Sequence, residues 1–172
     1  MKVLVLSDSH GRISTAMTVL ERLTGRIDMV FHLGDYDEDA MALQAMFPRL
    51  PFHYVKGNND YGRETPSHKL VNAGGKRFLL THGHKERVQY TLQTIAYWAE
   101  EQGADGVLFG HTHVPVNDGT GRIYLFNPGS ITLPRDGFMP TFGIITVENG
   151  RIQGAIMEYT SRGEIRLRSN GL

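Results

Sequence analysis

Three short apolar runs near the start, Lys2 to Leu6, Asp28 to Leu33 and Phe52 to Val55, alternate with two segments of helical period. That alternation constrains the fold more than any other feature. The Val- and Leu-rich first run reads as a strand buried on both faces. From Ser14, a plausible N-cap, to about Thr24, Met17, Leu20 and Leu23 share one stripe, and Gly25 is the stop. A second helix is expected from Glu38 to about Phe47, closed by Pro48. This β-α-β-α-β order predicts a parallel sheet with right-handed crossovers.

The pattern then changes. Lys69 to Val71 and Arg77 to Thr81 flank an Ala-Gly-Gly-Lys turn and predict a hairpin. One long helix is expected over Arg87 to Gln102, with Tyr90, Tyr97 and Trp98 packing it onto the sheet. Gly106 to Phe109 reads as a short strand. Arg122 to Phe126, Thr141 to Val147 and Ile152 to Tyr159 follow as strands, and Glu164 to Arg168 as an edge strand. The fold class expected is α/β: two packed sheets with helices outside, a four-layer α/β/β/α sandwich. No repeat or linker-like shift divides the chain, so residues 1–172 are expected to form one domain.

The 18 Lys and Arg balance the 18 Asp and Glu, so no basic field points to a nucleic-acid polymer or an anionic membrane. With no cysteine, disulfides, thiolate metal sites and cysteine nucleophiles are excluded. The opening "MKVLVLSDSH" has an apolar run too short for a signal-peptide core, which sets the expectation of a cytoplasmic protein.

Five polar clusters follow successive strands: Asp8-Ser9-His10, Gly34-Asp35, Gly57-Asn58-Asn59-Asp60, Thr81-His82-Gly83-His84 and Gly110-His111-Thr112-His113. Residues i and i+2 of an extended segment project to one side, so Asp8 with His10, and His111 with His113, can reach a common point. Each cluster alone has a plainer reading as a turn, a capped helix or a structural histidine. Together, at strand ends sharing one sheet edge, they place Asp, Asn and His where a core needs none of them. His32 reads as a structural histidine in a buried strand, and His53 and His68 lack partners at ligand spacing.

In order and interval, "DSH", "GD", "GNND", "HGH" and "GHTH" resemble the calcineurin-like metallophosphoesterase superfamily. The resemblance covers nearly the whole chain. With "NPGS" at Asn127 to Ser130 it extends to the small bacterial and archaeal phosphodiesterases, the group that includes the retromer subunit. It implies a metallophosphoesterase fold and two divalent metal ions. Asp8, His10, Asp35 and His113 would hold one, and Asp35, Asn58, His82 and His111 the other, with Asp35 bridging. The O and N ligands suit Mn²⁺, Fe, Zn²⁺ or Ni²⁺ and disfavour Cu(I), and family experience points to Mn²⁺. The mechanism implied is attack on a phosphoester by a two-metal-activated hydroxide.

Many members of the superfamily carry a histidine where this chain has Asn59, and an asparagine cannot supply a proton. The resemblance therefore points to a phosphodiesterase acting on small phosphodiesters. The alternatives are a phosphomonoesterase on a nucleotide or sugar phosphate, or a non-catalytic scaffold of the same fold. Asn59, Asp60 and His84 are the candidate catalytic residues. Asp60 either orients its neighbours or caps a helix, and His84 either orients a ligand, contacts substrate or simply packs. Specificity is expected from loops around Tyr36, Tyr61 to His68, Lys85 and Ile131 to Met139, with the Pro128 to Pro140 segment covering one side of the site. The partners expected are a small phosphoester substrate and, by analogy, a second copy in a homodimer; neither a nucleic-acid polymer nor a membrane is expected.

Overall fold

The computed structural model describes residues 1–62, 64–137 and 139–168. In chain order the elements are β1 (Lys2–Leu6), α1 (Ser14–Leu23), β2 (Met29–His32), α2 (Asp37–Met46), β3 (Phe52–Tyr54), β4 (His68–Ala73) and β5 (Lys76–Thr81). They continue with α3 (Gln93–Glu101), β6 (Gly106–Leu108), β7 (Val116–Asp118), β8 (Tyr124–Asn127), β9 (Thr141–Glu148), β10 (Arg151–Tyr159) and β11 (Ile165–Leu167).

The strands form two mixed sheets, ordered β11-β10-β9-β1-β2-β3 and β4-β5-β6-β8-β7. β1, β2 and β3 run parallel, as the front of the sequence predicts, while β9 adds to β1 antiparallel. In the second sheet β5, β6 and β8 are parallel.

Alternation within β1 explains the layering. Val3 and Val5 point into a core shared with Phe31, Phe78, Leu80 and Phe126, which joins the two sheets. Leu4 and Leu6 point the other way, onto Ala16, Val19 and Leu20 of α1 and Leu43 of α2. On the far face of the second sheet, Leu79, Val107 and Phe109 meet Ile95 and Ala99 of α3. Helix, sheet, sheet and helix therefore stack as the expected four-layer sandwich.

Three local expectations are corrected. Ser14 is not the cap of α1, because Met17 N–H already bonds the Ile13 carbonyl at 2.8 Å and Ile13 takes the cap position without a side-chain bond. The long helix starts at Gln93 instead of Arg87: the chain before it makes successive turns, with Arg87 at φ 56° and Val88 N–H bonded to the Gly83 carbonyl. Trp98 packs against the outer core, but Tyr90 and Tyr97 are 81% and 66% exposed and do not fix the helix to the sheet.

Candidate metal centre

The polar clusters converge from two sheets, not from one sheet edge. Asp8, Asp35 and Asn58 follow β1, β2 and β3, whereas His82, His111 and His113 follow β5 and β6. One bond joins the loops of the two sheets: Asp8 Oδ2 accepts from His111 N–H (3.2 Å) as well as from its neighbour Ser7 Oγ (2.5 Å), while Gly110 N–H bonds the His82 carbonyl within the second sheet.

The backbone that aims these side chains is not extended. Asp8, His10, Asp35, His111 and His113 have φ of 56°, 50°, 54°, 70° and 60°. Non-glycine residues in the left-handed region cost free energy, and their clustering marks a site held by its surroundings. Asp8 and His10 do converge, with His10 Nε2 4.0 Å from Asp8 Oδ1, but through turns of positive φ and not through strand pleat. Two glycines permit the approach. A Cβ on Gly57 would lie 2.1 Å from Asp35 Oδ1, and one on Gly110 would lie 2.0 Å from Ser7 Oγ.

One atom each from Asp8, His10, Asp35 and His113 lies within 4.8 Å of the others. His113 Nε2 stands 3.1 Å from Asp8 Oδ1 and 3.1 Å from His10 Nε2, and His10 Nε2 stands 3.8 Å from Asp35 Oδ2. On the other side of Asp35, His82 Nε2 is 3.3 Å from Oδ1 and 3.2 Å from Asn58 Oδ1. The His111 ring lies 5.2 Å from that of His82.

Two main-chain carbonyls set the tautomers. His82 Nδ1 donates to the Leu33 carbonyl at 2.7 Å, and His113 Nδ1 to the Leu133 carbonyl at 2.6 Å. In the neutral rings both Nε2 lone pairs therefore face inward, toward carboxylate and amide oxygens. Asp8 Oδ1 is buried with no aligned hydrogen bond among the described residues. So dense a set of inward acceptors fits a cation, and its O and N donors suit a divalent metal.

The electrostatics agree. Burial pushes the Asp8 carboxyl up, but His113, His82 and Ser7 outweigh it and hold it below its ordinary value. Burial opposes Asp35 in the same way, and His82 with both donors of Asn59 holds it well below the carboxylate range. His82 is the converse: burial lowers it, yet Asp35 and Asp8 raise it overall. His10 is lowered, chiefly by burial.

A model of the calcineurin-like phosphoesterase superfamily domain matches residues 1–150. The chain belongs to that superfamily. This phosphoesterase is 37% identical over 150 residues to a probable metallophosphoesterase, YsnB, of Bacillus subtilis, covering 87% of this chain and 86% of that one. Over a shorter stretch of 73 residues, 41% of this chain and 34% of the other, it is 34% identical to the phosphodiesterase YfcE of Escherichia coli. Its fold matches zinc-complexed Vps29 of Entamoeba histolytica with a TM-score of 0.80 and 23% identity, covering 98% and 97% of the two chains. The phosphoesterase is thus a metal-dependent phosphoester hydrolase with a candidate metal-binding group of Asp and His residues. Among the described residues, no helix is long and apolar enough to cross a membrane.

The candidate catalytic residues separate by what they touch. Asn59 donates from its backbone to Asp35 Oδ1 (3.0 Å) and from its side chain to Oδ2 (2.7 Å). Asp60 Oδ2 accepts from Gly57 N–H at 2.6 Å, while Oδ1 accepts from Tyr36 and Asp37 N–H at 2.8 and 2.9 Å, at the start of α2. The His84 ring lies 5.4 Å from that of His82 and 6.2 Å from that of His111, with a buried Nδ1 that has no hydrogen-bond partner among the described residues.

His32 is buried, as expected, with Nε2 3.0 Å from Ser9 Oγ. Four supports carried no ligand-type signal: the Leu33 and Leu133 carbonyls, Ser7 and Ser130. Ser130 Oγ donates to the Asp8 carbonyl (2.8 Å) and accepts from Leu133 N–H (2.7 Å), tying the "NPGS" loop to both Asp8 and the carbonyl that orients His113.

Proposed function

We propose that the protein hydrolyses small organic phosphodiesters at a centre for two divalent ions. Asp8, His10, Asp35 and His113 would hold one ion, and Asp35, Asn58, His82 and His111 the other. Mn²⁺ is the ion favoured, and the donors also accept Zn²⁺, Fe or Ni²⁺. The observation that carries this reading is the position of Asp35: Oδ2 faces His10 at 3.8 Å while Oδ1 faces His82 at 3.3 Å, so its two oxygens serve opposite ligand groups. Such a pair of ions supplies activation of water near neutral pH and neutralisation of phosphate charge.

The chain's own residues position and hold. Asn59 clamps both Asp35 oxygens and so fixes the shared carboxylate. Leu33 and Leu133 keep Nε2 of His82 and His113 turned inward. Asp60 gathers Gly57, Tyr36 and Asp37, holding the loop that bears Asn58 beside the loop that bears Asp35.

The preference for diesters rests on Asn59. Its amide is engaged with Asp35 and has no proton to give, so assistance of about 10²–10⁴-fold to a poor leaving group is missing at that position. The test is a panel of bis(p-nitrophenyl) phosphate and p-nitrophenyl phosphate with Mn²⁺ added to chelator-treated protein. The diester is expected to turn over at least about tenfold more efficiently by kcat/KM. Faster monoester turnover favours a phosphomonoesterase, and hydrolysis of neither favours a scaffold.

A further inference from the structure

A cavity of about 440 Å³ opens beside the candidate metal centre, and His111 belongs to both. One edge of that residue faces the centre, with its N–H on Asp8 Oδ2 and its ring against His82. Away from it the lining is mostly apolar, with Leu92, Phe109, Val114 and Val116 beside the polar Gln89 and Thr112. Arg135 stands at its rim, and its guanidinium has no carboxylate partner among the described residues. The Arg135 backbone bonds the His113 carbonyl at 3.3 Å, which anchors this cation to the metal-binding loop.

Other cavities fit a substrate less well. The one beside Asn59 is about 210 Å³ and is lined by Asp37, Glu38 and Asp60, whose charge opposes an anion. The larger space beside Phe52 and Tyr54 touches no residue of the centre.

Resting on the phosphoester reading above, we infer that this cavity is a subsite for the organic group of the substrate. The substrate class it selects is a phosphoester carrying an aromatic or compact apolar group of nucleobase size, with an acceptor on that group facing Arg135. The volume lies within the range of small-molecule pockets, and one cation among mostly apolar walls is the composition such pockets use to orient a ligand.

Calorimetric titration of Mn²⁺-loaded protein with phenylphosphonate and methylphosphonate isolates the organic group, because the two probes share one head. Phenylphosphonate is expected to bind at least about tenfold tighter, since its ring brings apolar surface to bury. Val114 is 38% exposed, so its replacement leaves the inner core in place. In Val114→Asp, and separately in Val114→Trp, which fills the cavity, the preference is expected to fall to within about threefold. Equal binding by the native protein, or an unchanged preference in both variants, overturns the subsite alone. Binding of neither probe overturns the phosphoester site and the subsite with it.

Discussion

The Leu33 carbonyl stands 2.7 Å from His82 Nδ1, and that single main-chain bond turns the other ring nitrogen toward Asn58 and Asp35. A neutral ring held this way meets oxygen acceptors with a lone pair, a conflict that only a proton or a cation relieves. Metal binding should therefore stabilise the fold. Adding Mn²⁺ to chelator-treated protein at about a hundred times its Kd contributes about 2.7 kcal/mol, which raises Tm by roughly 5–10 °C. Thermal unfolding with and without the ion checks it, and an unchanged Tm would count against the site.

Gly57 lies against Asp35 so closely that a methyl group has no room, 2.1 Å from Oδ1. Gly57→Ala is expected to displace the carboxylate and lower diester turnover by at least about a hundredfold, in keeping with the effect of small misplacements. At Gly121 the nearest atom to an added Cβ is 3.7 Å away, so Gly121→Ala should leave stability within about 1 kcal/mol. Comparing the two variants by turnover and Tm separates local displacement from a general cost of alanine.

Asn59 supplies two donors to Asp35, and truncating its side chain removes one while leaving the backbone N–H in place. Asn59→Ala should weaken Mn²⁺ affinity by about 10–100-fold, the usual effect of losing a residue that orients a ligand. Because the substitution leaves net charge unchanged, calorimetry of ion binding reads the lost orientation directly.

Asp105, directly before β6, ties that strand to the start of β5, with Oδ2 on Arg77 N–H and Oδ1 on Lys76 Nζ, both at 2.8 Å. The Arg77 backbone, then Lys76, holds this carboxyl below its ordinary value of 3.8. A depressed carboxyl contributes stability above its unfolded pKa and loses it as pH falls through the folded one. Asp105→Asn should thus lower Tm at neutral pH, and the gap to the native protein should close as the solution is acidified below that value.

Strand alternation and ligand chemistry were both legible in the sequence. Val3 and Val5 divide from Leu4 and Leu6 in the way a strand buried on both faces requires, which is why the layers could be foreseen. The clusters were legible because Asp, Asn and His stand where a core has no use for them. Their geometry was not: positive φ at Asp8, His10, His111 and His113 comes from tertiary contacts that no dipeptide pattern records. The carbonyls of Leu33 and Leu133 were invisible for a simpler reason, since every residue has one. β7 went unread because its Val116-Asn117-Asp118 sequence looks like a loop. It becomes an edge strand beside β8, with Asn117 reaching the Gly154 carbonyl and Tyr124. The early start expected for α3 followed an apolar spacing that the turn at Arg87 interrupts.

The central claim is that Asp35 is shared between two ions. Its most direct test is a titration of chelator-treated protein with Mn²⁺, following bound metal and hydrolysis of bis(p-nitrophenyl) phosphate in the native chain and in Asp35→Asn. Two ions per chain are expected in the native protein, with activity rising as the second binds, and turnover should drop by at least about a hundredfold in the variant. Full hydrolysis in excess chelator, saturation at one ion, or less than about a tenfold loss in Asp35→Asn would contradict it.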